Sequence, residues 1–427
     1  MAEERRGEEQ TVARARDARR PGRAPGDVLW GRRWPGHAPL LLPVALLLGA
    51  LAVRLPLLGL TAGYDLRVVA GMARRAAGGQ DVYALGVQRL APWAYFPLLL
   101  HLDAGLMRLA AHTGWSFYLL AKLPVVAADV GIGVLLYAAL RRRGQAGGRA
   151  AVGMALYLYN PLVLYNGAFY GRFDAIALAF LVLALEGAGA GAGLCAPAYA
   201  LASAAKTFPL FLLPLLALGR DRQDPRRLLL ACALVVPLSL PEVVTDPGGL
   251  LSHAFLVDRF GFEGLSWNLI LPHLPVLGRP GAAGVARVGA ALYPVALLLL
   301  VRAPLSIKAA CAYALFVLLS GTVYEQYLLW PLPFLIVAGL HHRRRGALGL
   351  IALDTLAGLV ENEYTGRPGP LHYAAVLPNP CLPLNVGLAV ATLTFVAAQV
   401  RQDPPWRRRG AAAGERGTPD AERRDRA

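Results

Sequence analysis

Seven residues of this chain are of types, and in settings, where side chains can carry chemistry: Asp65, Arg172, Asp174, Lys206, Trp267, Glu325 and Gln326. Asp65 closes Gly63-Tyr64-Asp65, just beyond a long apolar run. A carboxylate at such a boundary can take a proton from a hydroxyl as general base, or serve as an interfacial or helix-capping Asp. Asp81, in Gly79-Gln80-Asp81-Val82-Tyr83, reads as a cap or turn residue. Arg172 and Asp174 belong to Tyr170-Gly171-Arg172-Phe173-Asp174, where Gly171 permits a tight turn before the next apolar run. That Arg can hold a phosphate with Asp174 orienting it or a sugar hydroxyl; alternatively the two cap a helix start. Lys206 sits in the break Lys206-Thr207-Phe208-Pro209, in a chain with three Lys and forty Arg. It either snorkels to headgroups or meets a phosphate. Glu325 and Gln326 place a carboxylate and an amide at another junction, Tyr324-Glu325-Gln326-Tyr327, whose aromatics also fit an interfacial belt. Trp267 and Asn268 suit either a sugar-stacking subsite or an amphipathic surface helix. Asp129 and Asp354 lie inside apolar runs, as functional carboxylates or as hydrogen-bonding links between helices.

The elements that position these residues are apolar. Hydrophobic residues make up 56% of the 427, charged ones 16%, and the mean hydropathy is +0.46. Soluble chains carry about 25% charged residues, so two or three soluble domains are excluded and most of the chain is solvated by lipid. The net charge of +16 is concentrated in the tails and in short clusters between apolar runs. Residues 1–37 hold nine Arg and six acids, and residues 401–427 hold eight Arg and five acids. That pattern fixes the orientation of a membrane protein and does not suit a nucleic-acid partner. Cys195, Cys232, Cys311 and Cys381 are scattered with no CxxC, so neither a disulfide framework nor a metal site is expected. No cleavable signal is expected either, because a charged stretch of 37 residues that includes acids precedes an apolar run, 39–60, long enough to span.

Twelve spans are predicted, at 38–60, 116–140, 149–166, 172–189, 193–205, 207–219, 228–245, 285–302, 306–322, 327–341, 346–361 and 383–400. The pair 193–205 and 207–219 is short and broken at Lys206. The stretch Phe96–His112 contains His101, Asp103, Arg108 and His112, which are costly in hydrocarbon. Read instead as an amphipathic helix on the membrane surface, it puts Arg141-Arg142-Arg143 on the cytoplasmic side. The clusters at 220–227, 302–308 and 341–345 then face inward too, with both tails. The resulting fold class is an all-α polytopic membrane protein. It has disordered basic cytoplasmic tails at 1–37 and 401–427 and a transmembrane domain at 38–400. The outer loops 61–115 and 246–284 form the site. There is no room for a cytoplasmic catalytic domain and no Gly-rich phosphate loop, so a site, if enzymatic, faces outward.

In combination these segments resemble the GT-C superfamily of polytopic glycosyltransferases, most closely its bacterial mannosyltransferase-like branch (the DUF2029 or GT87 type). The motifs, in order, are the Asp65 loop with Gly78-Gly79-Gln80-Asp81-Val82-Tyr83 and Tyr95-Phe96-Pro97-Leu98; Ala128-Asp129 in a span ending in basic residues; Asn160-Pro161 followed by Gly171-Arg172-Phe173-Asp174; Ala205-Lys206-Thr207 with Pro209 and Pro214; and Glu325-Gln326-Tyr327-Leu328-Leu329. Together they cover about residues 38–345. Similar proteins often carry two prolines where Phe96-Pro97 stand, Gln or His at Arg172, and His-Glu-Lys where Tyr324-Glu325-Gln326 stand. Arg172, Lys206 or loop arginines such as Arg259 are expected to compensate for the phosphate-binding groups this last change removes.

The resemblance implies a GT-C-like bundle of about twelve transmembrane helices, with amphipathic helices in the first outer loop. It implies transfer of a monosaccharide, mannose favoured, from a polyprenyl-phosphate carrier to a glycolipid, glycan or protein acceptor, in one inverting displacement. By carry-over Asp65 is the catalytic base, Arg172 and Lys206 hold the donor phosphate, and Asp174, Glu325, Gln326 and Trp267 bind substrate. No metal and no cofactor are expected. The expected location is the cytoplasmic membrane, with both termini cytoplasmic and the active site on the outer face. The rival reading is a transporter or flippase for a lipid-linked sugar or small solute, against which stand the long outer loops and the absence of repeated halves.

Overall fold

The computed structural model describes residues 38–60, 63–85, 95–186, 194–218, 233–235, 238–251, 288–289, 291–320, 323–365 and 381–404. The elements that matter below are helices α1 (Ala38–Leu58), α2 (Tyr64–Ala77), α3 (Leu98–Thr113), α4 (Phe117–Arg142), α5 (Gly147–Leu158), α6 (Asp174–Glu186), α7 (Cys195–Ala205), α8 (Leu305–Leu319), α9 (Leu332–Leu340), α10 (Arg345–Thr365) and α11 (Cys381–Gln402). Among the described residues, Leu40–Leu58, Phe117–Arg142 and Leu384–Gln402 are long and apolar enough to cross a membrane, and five shorter apolar helices accompany them. The chain is thus a helical membrane protein. α1 keeps Leu40, Leu41, Leu48 and Leu55 exposed, as a lipid-facing helix must, because lipid rather than protein solvates them.

The core runs through α4, α5, α6 and α9, where Ile132, Leu136, Tyr157, Leu158, Leu178, Leu181, Phe334 and Ile336 are fully buried. α4 and α5 approach closely because small residues face large ones reciprocally. A Cβ at Gly133 would stand 2.7 Å from the Leu158 side chain, and one at Gly153 would stand 2.4 Å from Leu140. Between helices in lipid, such close van der Waals packing takes the place of a hydrophobic drive.

Two helices, α2 and α3, lie between α1 and α4. α2 buries Leu66, Val69, Ala70 and Ala73, spaced as one helical face, and exposes Arg67 and Arg74 on the other. α3, 16 residues long, packs on α2 and α4. Asp81 is a turn residue, its Oδ1 accepting from the backbone N–H of Tyr83 at 2.8 Å and of Ala84 at 3.3 Å.

Two expected spans differ in form. The run 149–166 is not one helix: α5 ends at Leu158, Asn160 caps a short helix at Pro161–Leu164 by accepting from Leu162 N–H at 2.9 Å, and a π-helical turn follows at Tyr165–Phe169. Pro161 cannot donate into a continuing helix, which forces the restart. The second is 327–341, whose α-helix begins only at Leu332 after a 3-10 turn at Glu325–Leu329. The break at Lys206 is present as read: α7 stops at Ala205, Lys206 is extended, and a 3-10 turn at Phe208–Leu212 leads into Leu213–Leu218.

Candidate active site

The candidate residues converge where the starts of α2, α4 and α6 meet the break after α7 and the 3-10 turn before α9. Asp65 lies in the first turn of α2, not at its cap, which is Gly63. A carboxylate there is favoured by the helix dipole. Its side chain is 44% exposed, and its Oδ2 lies 3.1 Å from Nε of Arg172.

Arg172 is aimed by the preceding backbone. The π-helical turn holds one residue more than an α-turn, and its Asn166 grips Arg172 twice. The carbonyl of Asn166 accepts from Arg172 N–H at 2.9 Å, and its side-chain oxygen accepts from NH1 at 3.1 Å. Gly171 makes the turn with φ of 74°, where a Cβ would also press on Leu66 and Lys122. NH1 of Arg172 donates in addition to Gln326 Oε1 and pairs with Glu325 Oε1. One guanidinium therefore gathers Asp65, Asn166, Glu325 and Gln326, all but Asn166 distant from it in sequence.

The second group is closed. Nζ of Lys206 donates to both carboxylate oxygens of Asp174 at 2.7 Å, and the indole N–H of Trp330 donates to Asp174 Oδ1 at 2.8 Å. The rings of Tyr95, Phe173, Tyr327 and Trp330 surround Nζ at 5.1–5.8 Å, and Trp330 stacks on Phe208. Lys206 and Asp174 are each 2% exposed. An ammonium in such a cage is stabilised by the ring faces and by its counter-ion together.

The structure thus re-pairs two sequence expectations. Asp174 orients Lys206, not Arg172, because it opens α6 facing the break after α7. The ammonium of Lys206 is turned onto Asp174, a pairing the sequence reading did not include. Trp267, Asn268 and Arg259 lie outside the described residues. Asp129 takes the helix-linking role, accepting from Tyr157 OH at 3.2 Å with Arg54 Nε 3.9 Å away. It also backs the π-helical turn, where a Cβ on Gly167 would stand 2.2 Å from its Oδ2. Asp354 is buried, its Oδ2 without a partner among the described residues.

Sequence reasoning passed over several contributors. Lys122 is fully buried and donates to Leu58 O at 3.2 Å and Phe169 O at 2.6 Å, tying the end of α1 to the π-helical turn. Arg54 is fully buried beside Asp129. Both stand as isolated cations in apolar runs, the one signal that marks them. Among the described residues no three His, Cys, Asp or Glu side chains group closely enough to hold a metal ion.

No family model matches the chain, and no curated protein matches it. What the site can do therefore rests on its geometry: a half-exposed carboxylate held against an arginine that already bonds a second carboxylate, on a floor of buried ion pairs. Such a carboxylate can accept a proton, and the guanidinium can stabilise an anion that develops beside it.

Proposed function

We propose that the chain is a membrane glycosyltransferase of the GT-C kind. It moves a monosaccharide, mannose favoured, from a polyprenyl-phosphate carrier to a hydroxyl of a glycolipid, glycan or protein. The observation that carries this reading is the Asp65–Arg172 pair: a solvent-reachable base held at 3.1 Å by a cation suited to a leaving phosphate. Asp65 takes the proton of the acceptor hydroxyl. The acceptor oxygen bonds to the anomeric carbon as the bond from that carbon to the phosphate oxygen breaks, the configuration inverts, and polyprenyl phosphate leaves with the electron pair. Arg172 meets the charge growing on the departing oxygen.

Charge sets one condition on this mechanism. Asp65 and Glu325 together outweigh Arg172, and Lys206 is balanced by Asp174. A donor phosphate must therefore displace a carboxylate from Arg172 as it arrives, or meet further cations from the second outer loop, such as Arg259.

The topology belongs to the same proposal. Lys122 stands beside Gly171 near the start of α4, and Arg141 to Arg143 stand at its other end, about 30 Å away at the helical rise. Positive charge at that end favours a cytoplasmic side there and an outer side at Asp65. Twelve spans, both termini inside, the cytoplasmic membrane as location and a bundle of the GT-C type complete the reading.

The test is transfer by the purified chain in detergent from radiolabelled polyprenyl-phosphate-mannose, with a membrane lipid extract as acceptor. Labelled product of inverted anomeric configuration is expected. Movement of the labelled donor across proteoliposomes with no product formed would instead support the transporter reading.

A further inference from the structure

The end of α4 opposite to Arg172 carries a second cluster of charge, and the transfer chemistry uses none of it. Two of the helices long and apolar enough to cross a membrane finish there, α4 at Arg142 and α11 at Gln402. At the helical rise the 26 residues of α4 cover about 39 Å, more than the about 30 Å of hydrocarbon, so a crossing α4 brings Arg142 to the headgroup layer. The turn between α9 and α10, His341 to Arg344, joins the two ends. Gln145 Nε2, just beyond α4, lies 3.3 Å from His341 Nδ1, and NH2 of Arg344 lies 3.5 Å from Asp403 Oδ2, just beyond α11.

Charge is unbalanced in this cluster. Arg142, Arg143, Arg149, Arg343 and Arg344 bring their guanidinium groups, and the carboxylates that meet them among the described residues are Glu186 and Asp403. Arg142 donates to the backbone carbonyl of Glu186 at 2.7 Å and Arg149 to the side-chain oxygen of Gln145 at 2.9 Å, both neutral acceptors. Nε of Arg344 is buried with no hydrogen-bond partner, and Arg343 is exposed. The local field shows in His342, whose pKa falls to about 4 through burial first and then through His341, Arg143 and Arg344. Backbone strain marks the same turn. Arg343 has φ of 56°, the left-handed region, and it is the one non-glycine residue there among the described residues. Glycine takes that conformation at little cost, so an exposed arginine in it points to a use for the charge.

We propose that this cluster binds an anionic phospholipid, with Arg343 on the headgroup phosphate and the acyl chains along the exposed apolar face of α10 and α11. That face begins in the first turn of α10, at Leu348, and continues through Leu356, Val390 and Leu393. The adjoining apolar face favours a lipid over a soluble phosphate. The excess of guanidinium groups favours an anionic headgroup over a zwitterionic one. The claim stands whether or not the chain transfers sugars.

Thermal unfolding of the full chain in detergent tests it, with phosphatidylglycerol, phosphatidylcholine or glycerol phosphate added at equal concentration. Phosphatidylglycerol is expected to raise the melting temperature by about 3 °C or more above phosphatidylcholine, and glycerol phosphate to leave it unchanged. Arg343→Gly removes the charge and the strain together, so it should fold as the wild type does and lose most of that increment. Arg14→Gln combined with Arg16→Gln removes charge from the N-terminal tail instead and should keep the increment in full. Equal responses to the two lipids, equal stabilisation by glycerol phosphate, or a full increment in Arg343→Gly would overturn the assignment. So would an equal loss in the tail variant, which would reduce the effect to bulk charge. The wild-type comparison needs no variant to fold.

Discussion

Two ion-pair groups stand side by side at the candidate site and differ in almost every physical respect. The Lys206–Asp174–Trp330 group is sealed: both charges are 2% exposed, all of its partners are fixed, and four aromatic rings surround the ammonium. The Arg172 group has a buried half, Glu325 and Gln326, and an open half, Asp65 at 44% side-chain exposure. A sealed pair cannot exchange partners without leaving a charge in a medium that does not solvate it. An open one can trade a carboxylate for an arriving anion. On the proposed function the first group is structural and the second carries the chemistry, and substitutions should separate them accordingly.

The largest effect is expected from Lys206→Met. It leaves Asp174 buried without its cation, at a cost of about 3–5 kcal/mol. Thermal unfolding in detergent should fall steeply or the protein should fail to accumulate, while Lys206→Met with Asp174→Leu should recover much of the loss. Failure of that double variant to recover would mean Lys206 does more than balance Asp174.

Asp103 sharpens the comparison from outside both groups, as a buried carboxyl with no counter-ion. Its pKa is raised by burial to about 7 from 3.8, so the folded state prefers the neutral form. Its contribution to stability is full below pH 3.8 and is lost as the pH rises through about 7. The melting temperatures of wild type and Asp103→Asn should therefore converge in acid and separate progressively towards pH 7 and above, the variant being the more stable. Parallel curves across that range would show Asp103 to be solvated.

Arg172→Lys should lower kcat/KM for transfer by about tenfold or more, the equivalent of a lost charge-assisted hydrogen bond, with little change in melting temperature. A large stability loss would place Arg172 with the sealed group. The smallest effect is expected from Glu325→Gln. The amide can still accept from Arg172 but no longer repels a phosphate, so the donor KM should fall about two- to threefold. A rise would mean that Glu325 contacts substrate directly.

The sequence made the helical membrane class legible, because composition and the lengths of its apolar runs need no tertiary information. It also located the break at Lys206, marked by Pro209, and a helix over most of Phe96–His112. Which cation meets which carboxylate was not legible. Asp174 is two residues from Arg172 yet pairs with Lys206, 32 residues on, because α6 and α7 pack together and turn Asp174 towards the break. The π-helical turn at Tyr165–Phe169 has no sequence period of its own. It is held by groups from other helices, Asp129 behind Gly167 and Lys122 on Phe169 O. Arg54 and Lys122 were visible as lone charges in apolar runs, but their partners come from folding.

The central claim is that the open carboxylate of Asp65 is the base of a sugar transfer. It is tested most directly by measuring transfer from radiolabelled polyprenyl-phosphate-mannose by wild type and Asp65→Asn side by side, each checked for its melting temperature. The account predicts unchanged melting within about 1 kcal/mol of stability and a fall in transfer of at least ~100-fold. Equal transfer by both proteins would contradict it.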